Sequence, residues 1–115
     1  ATILEDVPMN HEAITCELFA PVVTLHRYRD FEEALNGVND STFGLQAGVF
    51  TRDLRRAWGA FDVLDVGGVM INQVPTFRAD NMPYGGVKES GFGREGVRFT
   101  MEEMTEPKML AIRTA

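Results

Sequence analysis

The chain has 115 residues, 44% hydrophobic and 24% charged. That suits one folded domain and leaves no serine-, glutamine- or proline-rich block that would stay disordered. Seventeen acidic residues against eleven basic ones give a net charge of -6, and the basic residues are scattered, which argues against a surface that tracks nucleic-acid phosphates.

Taken in chain order, Pro21 to Tyr28 (PVVTLHRY) is β-branched and apolar, with proline at the start where a missing N–H is tolerated, so a strand is predicted there. A helix follows. Asp30 can cap it with Glu33 three residues on, and Phe31, Ala34, Leu35 and Val38 fall on one apolar face. Leu45 to Phe50 reads as a second strand after the turn residues Asn39, Asp40, Ser41 and Gly44. A second helix, capped by Thr51 or Asp53, carries Leu54, Trp58, Phe61 and Leu64 at helical steps and is expected to end at Gly67-Gly68. Val69 to Asn72 is a third strand.

Strand, helix, strand, helix, strand with short links means two β-α-β crossovers, so the expected class is α/β with a parallel βαβαβ core. Gln73 to Ser90 holds two prolines, the Gly85-Gly86 pair and no periodicity, and so long a loop is the place to look for a site. Val97, Met101 and Met104 then line a third helix, and Pro107 to Arg113 makes a C-terminal strand. No apolar run is long enough to cross a bilayer and the N-terminus has no basic and apolar leader, so no membrane contact and a cytoplasmic location are expected. Cys16 has no partner for an intrachain disulfide, and with His11 and His26 it makes no recognisable metal set.

Gly91 to Gly96 (GFGREG) fits the dinucleotide-binding pattern G-x-G-x-x-G letter for letter. That pattern works when a buried apolar strand delivers the chain to a tight turn whose following helix aims its N–H groups at a pyrophosphate. Here the preceding residues, Tyr84 to Ser90, mix glycine and charge. A ribose-binding carboxylate should follow about 20 residues later, yet only 19 residues follow Gly96, and Glu95 would sit against the phosphates. The glycines are therefore expected to shape a loop and let the third helix start close to a neighbour.

From Met82 to Lys108 (MPYGGVKESGFGREGVRFTMEEMTEPK) the chain resembles the C-terminal segment of the NAD(P)-dependent aldehyde dehydrogenase superfamily. The proline, aromatic, Gly-Gly, Lys, Ser-Gly, Gly-Arg-Glu order is filled by Pro83, Tyr84, Gly85, Gly86, Lys88, Ser90, Gly91, Gly93, Arg94 and Glu95. Upstream, CELFAPVV, NDSTFGLQAGVFTRDL and GGVMIN resemble further elements of the family. The resemblance implies a piece of a longer enzyme: residues 1-106 as the last part of its catalytic domain and 107-115 as a terminal strand through which the family forms homo-oligomers.

It also implies the chemistry. In the family a cysteine thiolate attacks a small-molecule aldehyde, hydride leaves for NAD or NADP, and a glutamate-activated water hydrolyses the thioester. The motifs of that nucleophile and that base are absent, so no catalytic residue is expected in this segment, nor tight cofactor binding by it alone. Cys16 is read as a half-buried structural thiol, and a small thiol enzyme built on it lacks any patterned base. Glu17 matches the glutamate that accepts hydrogen bonds from the nicotinamide ribose hydroxyls, and Phe19 the aromatic beside the nicotinamide ring; their plain alternatives are a solvated carboxylate and a core aromatic. Ala20 stands where the family commonly has glycine, and would be strained if that position needs positive φ. Phe77 and Tyr84 match positions that line the aldehyde tunnel, and Arg78 beside them is a candidate for meeting an anionic aldehyde, its alternative being a solvated surface charge. A different class of reading is a stand-alone binding or assembly module with the same fold and no chemistry.

Overall fold

The computed structural model describes residues 1-114. Strand β1 (Thr2–Glu5) and helix α1 (Glu12–Thr15) precede β2 (Val22–Leu25), and α2 (Phe31–Asn39) follows it. Then come β3 (Phe43–Gly44), β4 (Gln46–Val49), α3 (Leu54–Val63), β5 (Gly68–Ile71), β6 (Val87–Lys88) and α4 (Val97–Glu103). The α/β alternation is as expected. Its strands form three two-stranded sheets: β1 with β2 and β4 with β5, both parallel, and β3 with β6, antiparallel. Helix α3 is the crossover that returns the chain from β4 to a parallel β5. Strand β2 takes β1 as its partner, a strand that the sequence reading passed over.

Local chemistry sets the element ends. The Asp30 side chain accepts from the Glu33 N–H at 2.9 Å and so caps α2, and Asp53, not Thr51, caps α3 by accepting from the Arg55 N–H at 2.8 Å. Helix α3 ends at Val63, earlier than expected, and Gly68 already belongs to β5. Asn72 adopts a φ of 56° and leaves the strand there, its side-chain oxygen accepting from the Thr51 N–H at 2.8 Å. The long loop is interrupted by β6 sooner than expected. Pro107 to Arg113, expected as a strand, forms no ladder with the described residues: the chain runs on past α4 without pairing to any of the three sheets.

The core is small: Leu35, Val49, Ala60 and Leu64 are buried, with Phe31, Ala47, Val66 and Val69 packed against them. On α3 the inward face is thus Ala57, Ala60 and Leu64. Trp58 and Phe61, expected on that face, stack edge to face with centroids 6.0 Å apart yet stay 61% and 60% exposed. Small residues let the helix lie close on its sheet, and that turns the larger stripe outward. Val97, Met101 and Met104 on α4 are exposed as well. The accessible surface is 9738 Å², against about 6,300 Å² for a compact monomer of this mass. The radius of gyration is 18.8 Å, against about 13 Å.

Polar bonds hold together what the core does not cover. The Asn39 amide donates to the Val63 carbonyl at 2.8 Å and its oxygen accepts from the Asp65 N–H at 2.8 Å, joining the ends of α2 and α3. The Lys88 amine, on β6, donates to the carbonyls of Asn39 at 2.8 Å and Ser41 at 3.0 Å, with Asp65 Oδ2 3.7 Å away. A cation at a helix C-terminus satisfies carbonyls that the helix leaves open. Lys88→Met keeps the stem and removes the donors, so a loss of about 1–3 kcal/mol is expected in a denaturant-unfolding comparison; an unchanged midpoint would show that water replaces the amine at no cost.

Glu33 offers a pH test. The Arg29 backbone N–H donates to its carboxylate at 2.8 Å, the Arg29 guanidinium adds 3.3 and 3.4 Å contacts, and together they lower its pKa from the ordinary 4.5. A lowered folded-state pKa stabilises the fold above the unfolded value and stops doing so as pH falls through the folded one. The stability difference between the native chain and Glu33→Gln should therefore be constant at neutral pH and shrink as the solution is acidified below 4.5; a difference independent of pH would assign the effect to packing.

Candidate functional site

Beyond Asn72 the chain turns at Val74 to Phe77, where the Phe77 N–H donates to the Val74 carbonyl at 3.1 Å and the Gln46 amide donates to the Phe77 carbonyl at 3.3 Å. Further on, Tyr84 and Glu95 form an antiparallel bridge, their N–H groups donating to each other's carbonyls at 3.0 and 2.6 Å. This bridge ties the far end of the loop to the glycine-rich turn. Across it the Arg78 guanidinium meets Glu95 Oε2 at 2.9 Å and lies 4.5 Å from the centroid of the Tyr84 ring. Arg78 and Tyr84 are thus in contact, with Phe77 adjacent in sequence to Arg78 and 43% exposed. The partner that the sequence reading missed is Glu95, which entered there as part of the Gly-Arg-Glu pattern and as an obstacle to phosphate. Its opposite charge to Arg78, across a segment rich in proline and glycine, was the available signal. An open groove beside this cluster is lined by Arg78, Asp80, Glu95, Val97 and Met101.

GFGREG is a structural turn. Gly91, Gly93 and Gly96 have φ of 107°, 75° and 116°, where other residues are strained. A Cβ on Gly93 would lie 2.5 Å from the Glu103 carboxylate, which accepts from the Arg94 N–H at 2.9 Å. The turn's outward amide is met by an internal carboxylate, and α4 behind it has only seven residues. The Arg94 guanidinium closes the turn by donating to the carbonyls of Gly86 and Gly93, both at 2.8 Å.

Glu17 and Phe19 lie on the irregular segment between α1 and β2. His11, which had no assigned role, caps α1 by accepting at Nδ1 from the Ala13 N–H at 3.0 Å. Cys16 is the C-cap of α1 and is exposed, which corrects the half-buried reading: so short a helix packs nothing over its end. Ala20 is not among the residues with positive φ, so alanine is unstrained there. Phe19 is 95% exposed, which excludes a core aromatic within this chain. The Glu17 side chain makes no hydrogen bond or ion pair among the described residues, and lines a cleft with Phe43, Leu45, Glu89 and Ser90. The next cleft shares Leu45 and Ser90 with it and runs on to Tyr84 and Glu95. Glu17 and the Arg78 cluster therefore stand at two ends of one furrowed surface. Among the described residues no three His, Cys, Asp or Glu side chains gather as a metal site, and no helix is long and apolar enough to cross a membrane.

Comparisons with known proteins give the family. The profile of the aldehyde dehydrogenase family matches residues 1–110, and the chain belongs to that family. It is 54% identical over 96 residues to the lactaldehyde dehydrogenase of Methanococcus maripaludis, covering 84% of this chain and 21% of the relative. Among solved structures, aldehyde dehydrogenase 21 of Physcomitrella patens, in complex with its reaction product succinate, superposes with a TM-score of 0.93 at 48% identity, covering 96% of this chain and 23% of that one. The glyceraldehyde-3-phosphate dehydrogenase of Methanocaldococcus jannaschii, complexed with NADP, superposes with a TM-score of 0.81 at 43% identity, covering 89% and 22%. The chain thus spans about a fifth of the length of these relatives.

The Arg78–Glu95–Tyr84 cluster predicts a local effect. An exposed ion pair contributes about 0.2–1 kcal/mol and a cation–π contact about 0.5–1. In Arg78→Ala, amide exchange at Tyr84 and Glu95 should quicken about fivefold, while amides in β4 and β5 are unmoved. Unchanged exchange at the bridge would show that the backbone pairing stands without the side chains.

Proposed function

We propose that this chain is the C-terminal part of an NAD(P)-dependent aldehyde dehydrogenase, residues 1-106 completing its catalytic domain and residues 107-115 forming a strand of its oligomerisation element. The observation that carries the reading is the family match over residues 1–110, joined to an apolar surface that this chain leaves open. The overall reaction takes an aldehyde, oxidised cofactor and water to a carboxylic acid, reduced cofactor and a proton. A cysteine thiol outside this segment adds to the aldehyde carbon, that carbon loses hydride, and water then cleaves the thioester to release the acid and restore the thiol. Bound NAD or NADP supplies the hydride acceptor.

This chain's part is recognition. Glu17 suits a vicinal diol because its two carboxylate oxygens can accept two O–H donors and nothing within the described residues occupies them. Phe19 offers a flat apolar face two residues away, fully outside the chain's own core, where it can limit the tilt of the nicotinamide ring. Phe77 and Tyr84 form part of the wall along which the aldehyde approaches, and Arg78 between them brings the cation. The apolar faces of α3 and α4 stand exposed, at Leu54, Trp58 and Phe61 and at Val97, Met101 and Met104, which supports this reading over a stand-alone module, whose edges would be managed.

In the full-length enzyme, Glu17→Gln should raise the KM for the nicotinamide cofactor about tenfold, equal to one charge-assisted hydrogen bond of about 1.5 kcal/mol, with the aldehyde KM nearly constant. Wild-type KM values for both substrates would remove Glu17 from the cofactor site. Failure of the full-length protein to reduce NAD or NADP with any of a panel of short aldehydes would overturn the activity itself.

A further inference from the structure

Arg78 is the single cation among the charged groups lining the groove beside α4, and it is already engaged on two sides. Glu95 holds its guanidinium at 2.9 Å, the Tyr84 ring lies 4.5 Å from it, and Asp80 adds a second carboxylate to the same lining. Glu95 is in turn fixed by its own backbone, which is bridged to Tyr84. We infer that Glu95 is a specificity residue: it neutralises Arg78 and so sets how strongly the site favours anionic over neutral aldehydes. The inference rests on the proposed reading of Phe77, Arg78 and Tyr84 as the aldehyde wall.

The physical argument is competition for one guanidinium. A carboxylate or phosphate on the substrate's far end must either displace Glu95 or share Arg78 with it, and sharing places two negative charges on one positive one. A fixed internal carboxylate has the advantage over a mobile substrate because its position is already paid for by the Tyr84–Glu95 backbone pairing. Within this chain the pair is open on the groove side, 47% exposed at Arg78 and 64% at Glu95, so a group entering the groove can reach the guanidinium. Glu95 thus sets a threshold and leaves the route open. An uncharged aldehyde meets only Tyr84 and Phe77 and is indifferent to Glu95.

The test uses the full-length enzyme with two four-carbon substrates, butanal and 4-oxobutanoate. In Glu95→Gln, which keeps the shape and the backbone bridge, KM for 4-oxobutanoate should fall about fivefold while that for butanal holds, since an exposed pair contributes about 1 kcal/mol at most. Adding Arg78→Ala should cancel the gain, because the released cation is what the anion meets. Equal changes for both substrates in Glu95→Gln, or a gain that survives Arg78→Ala, would overturn the inference. Phe77→Ala separates the two levels: if it shifts neither KM, the reading of this loop as the aldehyde wall fails; if it shifts them while Glu95→Gln does not discriminate, only the role of Glu95 fails. Melting temperatures of each variant accompany the kinetics, and a loss of activity at both substrates together with a lowered melting point counts against a specificity role.

Discussion

The arrangement depends on one amine. Lys88 reaches from β6 to the open carbonyls at the end of α2, while Asn39 at that end holds the end of α3 through Val63 and Asp65. With so few buried apolar side chains, these polar bonds fix the angle between the two helices and the strand that begins the glycine-rich turn. A partly buried donor that serves two carbonyls is costly to remove because water cannot reach both in the same geometry. Lys88 itself sits at a φ of 55°, a conformation tolerated because its side chain must point back toward α2. From there Ser90 accepts from the Gly44 N–H at 2.9 Å, which closes β3 on β6 and brings the loop's end beside Glu17.

Where backbones meet directly, the sequence has no choice of residue. A Cβ on Gly67 would collide with the Gly85 carbonyl, so the start of β5 and the Gly-Gly pair of the loop lie against each other with no side chain between. That close approach converts a long irregular segment into a defined surface: its far end is fastened twice, by Gly67 against Gly85 and by the adjoining Tyr84–Glu95 bridge, and its near end by the Gln46 amide on the Phe77 carbonyl. The aromatic and charged side chains are carried on the stretch between, which is how a loop can present them in a fixed arrangement without a core of its own.

Elements whose signal lies within a few residues were legible in the sequence. The Asp30 cap, the α2 face through Leu35, and the β4-α3-β5 crossover all follow from local pattern and hydrogen bonding. What escaped required a partner distant in sequence. Strand β1 is four residues whose pairing with β2 is visible only once both exist, and the two-residue strands β3 and β6 are too short for any periodicity to register. The face of α3 was misjudged for a related reason: period alone finds Leu54, Trp58 and Phe61, yet the sheet accepted the smaller Ala57 and Ala60. Of the candidate site, the aromatic and cationic residues of the loop were nominated by resemblance, while the contact of Glu95 with Arg78 is seen only once the chain is folded.

Two carboxylates with opposite surroundings separate the built turn from the open cleft. Glu103 reaches back over the turn and takes the Arg94 amide that a phosphate would need, which leaves GFGREG a turn set by backbone shape. Glu17 turns outward with both oxygens unengaged, on a strand-ward segment held by the Ala20 N–H to Leu18 and the Val22 N–H to Ala20 at 2.8 and 2.7 Å. Side chains with satisfied partners build the surface, and those without them mark where something else must bind. By that criterion Glu17 and Phe19 are the side chains that the described residues leave without partners, which is what the proposed cofactor roles rest on. Arg78, held by Glu95 and Tyr84, lies between the two conditions, and its availability is decided by the carboxylate beside it.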